Sequence, residues 1–237
     1  MPEISFKSKK AIIIGWNLSK MDFFKGLAQK SLKTPYGKVN YYQHGNCFLI
    51  SRHGIKGSIP PHKINHRANI FALKKLGAKN IFSFNSTGSL KKDINPGDLV
   101  IVSDYIDFNP PTFYEKKAEF VTPSISAGLR VYLGKILKKL KIKFHPKGTY
   151  FLTKGPRLET KAEINMIKNF ADVVGMTMAK EATLAKELNL EYASLSSVDN
   201  YANGIMSKEL SIEDIWQGQL KIKDKFEKII KELLVDG

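Results

Sequence analysis

The sequence predicts a single-domain α/β fold whose mixed sheet is mostly covered by helices. Segments with the pattern of strands alternate with segments of helical periodicity along the whole chain, which is typical of this fold class. A chain of 237 residues fits one domain, residues 1–237, and its hydrophobic content of 43% is ordinary for a globular protein with a real core. No repeat, low-complexity segment or linker interrupts the pattern.

The first predicted strand covers residues 10–15, where consecutive isoleucines end at Gly15. This pattern is typical of a buried strand that enters a ligand-binding turn. Further strands are predicted at residues 38–43, 47–51, 79–85, 98–106, 148–153, 172–175 and 191–198. Because ligands of α/β folds bind at the carboxyl ends of strands, polar residues that follow these segments are the candidates for a site.

Helices are predicted at residues 62–76, 124–140, 159–168, 178–188 and 211–234. The first has alanine, leucine and isoleucine at helical spacing and ends at Gly77, a natural C-terminal stop. The last helix keeps its apolar residues largely on one side, namely Ile215, Leu220, Ile222, Phe226, Ile229, Ile230 and Leu233.

The formal net charge of +16 comes from lysines scattered along the chain. Such a charge favours nucleic acid or anionic ligands as partners. No arginine or aromatic cluster interleaves with the lysines, so a solvated lysine surface is the preferred interpretation and nucleic acid is not expected as a partner. A small anionic substrate such as phosphate would also benefit from this field.

The single cysteine, Cys47, excludes an internal disulfide and suits a reducing cytoplasm. The sequence shows no signal peptide, and its longest apolar runs are far shorter than a membrane span. We therefore expect a cytoplasmic protein without a membrane partner.

Two polar clusters that follow predicted strands could bind an anion. Arg52 and His53 supply hydrogen-bond donors directly after the strand at 47–51, although a surface pair on a loop is the commoner case. Ser86 lies in an Asn-Ser-Thr-Gly-Ser run after the strand at 79–85. Its backbone N–H groups and hydroxyls could face an anion, or the run could form a turn capped by its own side chains.

Further polar clusters follow the later strands. Glu159 fits a first-turn helix acid or an acceptor for ring N–H groups of a ligand. Met176 fits core packing, and Thr177 fits a helix cap or an anion donor. Asp199 and Asn200 end the last strand, where an asparagine is either a turn residue or an amide that both donates to and accepts from a purine.

Each polar cluster is a weak signal alone, but it is unlikely that such clusters follow so many predicted strands by chance. Together they supply anion donors, a carboxylate and an amide. The sequence contains no metal-binding His/Cys/Glu pattern, no full dinucleotide or Walker loop, and no serine in a nucleophile elbow.

The sequence resembles the trimeric purine nucleoside phosphorylases, and within them the methylthioadenosine/methylthioinosine phosphorylases. The resemblance runs from about residue 9 to about residue 204 and is carried by PPHKINHRANI, GPRLET, GMT and the segment around Asn200, in this order. It implies a mixed sheet that curls toward a barrel and is surrounded by helices, a homotrimer or a dimer of trimers, and no cofactor. It also implies phosphorolysis, in which inorganic phosphate is the co-substrate and purine base and ribose 1-phosphate are the products.

The resemblance implies phosphate-binding roles for Asn17, Arg52, His53, Ser86 and Thr177. Asn17 lies in the sequence Gly-Trp-Asn-Leu, where relatives have a loop rich in glycine with serine or threonine. Its amide can still donate to an oxyanion. We therefore expect a weakened or rebuilt phosphate loop in an otherwise intact site.

The resemblance likewise implies that Leu158, Glu159 and Asn200 bind the purine, that Met176 lines the ribose, and that Asn200 and His53 are catalytic. Leu158 stands where many relatives have a phenylalanine that packs on the base. The 5′ pocket is expected on the last helix, near Ile212 and Trp216 in one reading of the sequence.

The residue at position 200 bears on the choice of base. Relatives that prefer 6-aminopurines usually carry aspartate there, so Asn200 with Glu159 predicts a 6-oxopurine: inosine, guanosine or 5′-methylthioinosine. A shift of one residue would bring Asp199 into the site and predict 5′-methylthioadenosine instead. A relative that has lost catalysis and binds nucleosides or RNA is the third reading, suggested by the charge and the altered first loop.

Overall fold

One sheet of ten strands organises the protein in the computed structural model, which describes residues 8–15 and 26–235. The strands are β1 (Lys10–Ile14), β2 (Gln29–Thr34), β3 (Gly37–His44), β4 (Cys47–Ser51), β5 (Asn80–Ser89), β6 (Leu99–Ile101), β7 (Asp104–Ile106), β8 (Thr149–Leu152), β9 (Val173–Gly175) and β10 (Glu191–Tyr201). The helices are α1 (His66–Lys75), α2 (Ala127–Lys139), α3 (Lys161–Ile167), α4 (Met178–Glu187) and α5 (Ile212–Val235), with a 3₁₀ turn at Pro61–Lys63. No helix of this part of the chain is long and apolar enough to span a bilayer.

Strand β5 is the centre of the sheet. It pairs in parallel with β1 and β10 and, at its carboxyl end, antiparallel with β9. The sheet continues from β9 to β8 and β7, while β6 adds to β10. Because β6 and β7 are consecutive pieces of one chain segment that pair with opposite arms, the sheet curls back on itself, and the predicted fold class is confirmed.

The core lies on both faces of the sheet. Successive side chains of a strand point to opposite faces, and β1 shows this directly. Ala11 and Ile13 pack in the cluster that contains residues of α1 and α4, whereas Ile12 and Ile14 pack with α2 and α5. The continuous apolar run in β1 therefore reflects burial on both faces.

The structure differs from the prediction in a few elements. Strand β2 was not predicted because its sequence, QKSLKT, is mostly polar and exposed at the edge of the sheet. The predicted strand at 98–106 is two short strands because the chain changes partner from β10 to β8. Strands β5 and β10 extend through the polar residues that were predicted as loops. In α5, Leu220 is 64% exposed rather than on the apolar face.

Candidate active site

A cavity of about 240 Å³ opens at the carboxyl ends of the central strands and is closed on one side by α5. Every predicted site residue within the described part of the chain lines it, namely Arg52, His53, Ser86, Leu158, Glu159, Met176, Thr177 and Asn200. Asn17 lies outside the described residues. The structure thus brings these side chains together, while their individual roles toward phosphate, purine and ribose stay predictions.

Arg52 is 2% exposed, and its guanidinium is held on almost every side. Nε and Nη2 donate to the carboxylate of Glu181 at 2.6 and 3.2 Å, Nη2 also donates to the Ser83 hydroxyl at 2.6 Å, and Nη1 donates to the Phe84 carbonyl at 2.8 Å. The remaining N–H of Nη1 lies beside Gly15, since a Cβ there would be 3.3 Å from that nitrogen. Among the described residues, Arg52 therefore keeps at most a single free donor for an anion.

Glu181 of α4 neutralises Arg52 in the interior. Its carboxylate also accepts from the hydroxyls of Ser83 at 2.7 Å and Tyr192 at 2.9 Å. Burial alone would raise the pKa of Glu181, but the charge and hydrogen bonds of Arg52 keep the pKa below its usual value. His66 lies 3.8 Å away, and burial lowers its pKa to about 4, so its ring is neutral at pH 7.

His53 has a defined tautomer. Its Nδ1 is 2.7 Å from the carbonyl oxygen of Ile59, and a carbonyl only accepts, so Nδ1 carries the hydrogen. Burial, followed by the neighbouring charge of Arg52, lowers the pKa of His53. The neutral ring therefore has an unprotonated Nε2, which can accept the hydrogen of a phosphate hydroxyl.

Ser86 connects β5 with β10 and α5. Its hydroxyl donates to the carboxylate of Asp199 and accepts from Nε2 of Gln219 at 3.3 Å. Ser197 donates to the same carboxylate at 2.6 Å. Burial raises the pKa of Asp199 to about 6, despite these donors. Because the Ser86 hydroxyl already donates to Asp199, its contribution to an anion would come from the backbone N–H.

A register shift brings both Asp199 and Asn200 to the cavity. Val198 pairs with Thr87 and Asn200 pairs with the next residue of β5, Gly88, so the pairing skips Asp199. Such an extra residue changes the direction of neighbouring side chains, and both residues line the cavity. The Asn200 amide nitrogen donates to the Tyr201 carbonyl at 2.8 Å. The sequence left open which of the two faces the ligand. Both residues line the cavity, but Asp199 is 1% exposed and Asn200 is 9% exposed.

Thr177 precedes α4 and is held by two hydrogen bonds. Its hydroxyl donates to Oδ1 of Asn85 at 3.0 Å, and its backbone N–H donates to the Tyr150 hydroxyl at 3.1 Å.

Glu159 lines the cavity. It is 8% exposed, and one of its oxygens accepts from the Thr153 hydroxyl at 2.5 Å. The other oxygen accepts no hydrogen bond from the described residues, so it is available to a ligand N–H. Glu159 lies immediately before Thr160, whose capping box with Glu163 fixes the start of α3.

Met176 and Leu158 form the apolar part of the same wall. Met176 lies directly over Gly155, where a Cβ would be only 2.4 Å from the Met176 sulfur. Gly155 also has a φ of +62°, which favours glycine. Leu158 is 36% exposed at the mouth of the cavity. These contacts leave an apolar surface beside the Glu159 carboxylate.

Helix α5 closes the cavity through close contact with β10. A Cβ on Gly218 would lie 1.7 Å from the carbonyl oxygen of Asp199, so the helix can approach the strand only without a side chain at this position. The cavity-lining residues of α5 are Ile215, Gln219, Ile222, Lys223 and Phe226. Ile212 and Trp216, expected near the 5′ pocket, are 56% and 50% exposed and are not among the lining residues.

Glu181, Gln219 and Lys223 were not predicted as site residues. Glu181 lies among the alanines of a buried helix, and this sequence pattern could have indicated an interior carboxylate. Gln219 and Lys223 interrupt the apolar stripe formed by Ile215, Ile222 and Phe226 at helical spacing, which was a second sign. Across residues 8–15 and 26–235, no group of three or more His, Cys, Asp or Glu side chains is placed to hold a metal ion.

Comparisons with known proteins identify the family of this chain. The family model described as Phosphorylase superfamily matches residues 10–235. The chain is 40% identical over 227 residues to a probable 6-oxopurine nucleoside phosphorylase of Archaeoglobus fulgidus, covering 93% of each chain. It is 38% identical over 224 residues to a probable S-methyl-5′-thioinosine phosphorylase of Methanocaldococcus jannaschii, covering 91% of this chain and 88% of the relative.

Among solved structures, methylthioadenosine phosphorylase from Schistosoma mansoni in complex with adenine is similar, with a TM-score of 0.85 and 27% identity. The match covers 97% of this chain and 91% of that one.

Proposed function

Because the chain belongs to the phosphorylase superfamily, we propose that it catalyses the phosphorolysis of a purine nucleoside, with a preference for 6-oxopurines. The family predicted from the sequence is thereby confirmed, and the activity is that of a pentosyltransferase. One observation carries the preference: a single cavity holds Glu159, with a free carboxylate oxygen, and Asn200, with an amide. A carboxylate suits the ring N–H of a 6-oxopurine, and an amide can donate to its N7 or O6.

The reaction separates charge before the new bond forms. The C1′–N9 bond breaks with its electron pair on the purine, a phosphate oxygen bonds to C1′, and the proton of the phosphate ends on the departing base. Stabilising this charge separation lowers the barrier. Glu159 orients the base, Asn200 stabilises the negative charge that develops on it, and Nε2 of His53 accepts a hydrogen bond from the phosphate hydroxyl and so orients the nucleophile.

Phosphate binds at the edge where β1, β4 and β5 end. Arg52 contributes its remaining N–H, and Ser86 contributes its backbone N–H. Thr177 contributes its hydroxyl, which must turn from Asn85 to the phosphate when the anion binds. Met176 lines the ribose. Phosphate itself is the nucleophile, and no cofactor is required. The active assembly is a homotrimer or a dimer of trimers that acts in purine salvage in the cytoplasm.

The test is base release from inosine, guanosine and 5′-methylthioinosine by the purified protein, with and without phosphate. Phosphate-dependent release from at least one of them is expected. Absence of release from all three would refute the proposal, and equal release without phosphate would indicate a hydrolase instead.

A 6-aminopurine substrate, 5′-methylthioadenosine, is the second candidate. The register shift at Asp199 favours it, because a carboxylate shares the cavity with Asn200. The methylthioadenosine phosphorylase structure noted above also supports it.

The variant Asn200→Asp distinguishes the two candidates. It replaces a donor by an acceptor, and a mismatched buried pair costs about 1–3 kcal/mol, or roughly 5- to 150-fold in kcat/KM. We expect this loss for inosine and a gain for 5′-methylthioadenosine. A wild-type protein that already prefers 6-aminopurines, together with no effect of the change, would assign base recognition to Asp199.

A further inference from the structure

The described residues that line the cavity carry too little unpaired positive charge to balance a phosphate dianion. The basic lining residues of the described part are Arg52, His53 and Lys223. The charge of Arg52 is already paired with Glu181, and His53, whose pKa is lowered, is neutral at pH 7. Asp199 and Glu159 add carboxylates to the same wall. A phosphate dianion that leaves water for this cavity needs a compensating positive charge.

Lys223 is the lining cation that can supply this charge. It is half-buried, and it makes no ion pair or hydrogen bond with any residue that the structure describes. A lysine ammonium is a compact charge with three donors on a flexible stem, so it can follow an anion over several positions. Arg52, by contrast, is fixed by its partners.

The position of Lys223 on α5 places it toward the edge of the cavity where β1, β4 and β5 end and where we propose that phosphate binds. One turn before it, Gln219 reaches the Ser86 hydroxyl, and one turn after it, the Phe226 ring packs on Phe84 at 5.0 Å between centroids. Residues three and four apart share one face of a helix. Lys223 therefore lies on the face of α5 that is turned toward residues 84–86 of β5. Gly15, which begins the first loop, lies beside the Phe84 carbonyl.

We propose that Lys223 binds the phosphate co-substrate and supplies the positive charge that the ion-paired Arg52 does not. This inference rests on the proposed function and adds a phosphate-binding residue from α5. It also gives a reason why the first loop can read Gly-Trp-Asn-Leu rather than a run of glycines and hydroxyls.

The test compares Lys223→Gln and Lys223→Arg with a matched control, Lys228→Gln. Lys228 is an exposed lysine of the same helix, so its replacement changes the net charge equally. For Lys223→Gln we expect the KM for phosphate to rise about tenfold or more, as for the loss of a charged hydrogen bond. The KM for nucleoside should stay within about twofold, and Lys223→Arg should keep most of the phosphate affinity.

Equilibrium dialysis with radiolabelled inorganic phosphate, without nucleoside, separates this inference from the proposed activity. If the wild-type protein binds phosphate but releases no base, the proposed function fails while the dialysis still tests Lys223. A phosphate KM and Kd within twofold of wild type in Lys223→Gln would overturn the proposal. An equal rise in Lys228→Gln, or a rise only in the nucleoside KM, would overturn it as well.

Discussion

The buried pair between Arg52 and Glu181 predicts a large loss of stability in Glu181→Gln. Both side chains are 1% exposed, and the carboxylate accepts from Arg52, Ser83 and Tyr192. The amide of glutamine has a single acceptor oxygen, so its NH₂ group must face a donor. In one orientation the NH₂ group faces the Nε–H of Arg52, which is now 2.6 Å from Oε1 of Glu181. In the other orientation it faces the donors that now bind Oε2, from Arg52, Ser83 and Tyr192.

The expected magnitude follows from leaving the Arg52 charge buried without its partner. Removal of one member of a buried ion pair costs about 3–5 kcal/mol. For a chain of this size, each kcal/mol lowers the melting temperature by roughly 2–4 °C, which gives a fall of roughly 6–20 °C. Because the pKa of Glu181 is lowered in the folded protein, its stabilisation is present above the ordinary pKa of 4.5 and is lost as the pH falls below it.

Thermal unfolding followed by circular dichroism at pH 7 measures this effect. Glu191→Gln is the control, because Glu191 is an exposed carboxylate at the start of β10 and its replacement should change the stability by less than about 0.5 kcal/mol. The double variant Arg52→Met/Glu181→Leu removes both charges and should recover much of the loss. A melting temperature of Glu181→Gln within about 2 °C of wild type would refute the reasoning.

Two further variants test the contact between α5 and β10. Gly218→Ala should lower the melting temperature and the activity, because overpacking against the Asp199 carbonyl costs about 1–3 kcal/mol or more. Gly134→Ala, where the new methyl group would meet Phe144 at an ordinary 3.8 Å, should instead stabilise the protein by up to about 1 kcal/mol; stabilisation by both changes would contradict the packing argument. Asp199 binds a proton more tightly when folded, so its contribution to stability falls as the pH rises from about 4 to about 6. Asp199→Asn should remove this dependence and be more stable than wild type at pH 7 by up to about 3 kcal/mol; parallel stability curves from pH 4 to 7 would argue against a raised pKa.

Local sequence patterns predicted most strands and the lining residues that follow them. Arg52, Ser86 and Asn200 were found because each lies at the carboxyl end of a strand, and a strand can be read from a short window. The edge strand β2 was not predicted, because a strand at an exposed edge does not need apolar residues. The extensions of β5 and β10 were not predicted either. Their residues are polar because they line the cavity, although their backbones remain paired.

The partners of the site residues could not be predicted in the same way. Glu181 is 129 positions from Arg52 along the chain, and no local pattern relates the two. Gln219 and Lys223 reach the cavity only because Gly218 lets α5 approach β10. Such contacts depend on how helices and sheet pack together, which periodicity and spacing do not specify.

The skipped pairing at Asp199 has a consequence for how this site can evolve. In a regular strand, neighbouring side chains point to opposite faces, and a single codon would control what the purine meets at this edge. Here the side chains of two adjacent codons, Asp199 and Asn200, both line the cavity in which we propose that the purine binds. Codons for aspartate and asparagine differ by a single base, so a point mutation at either position is enough to exchange a carboxylate for an amide beside the ligand. Under the proposed function, a change of base preference therefore lies within one mutational step at two positions.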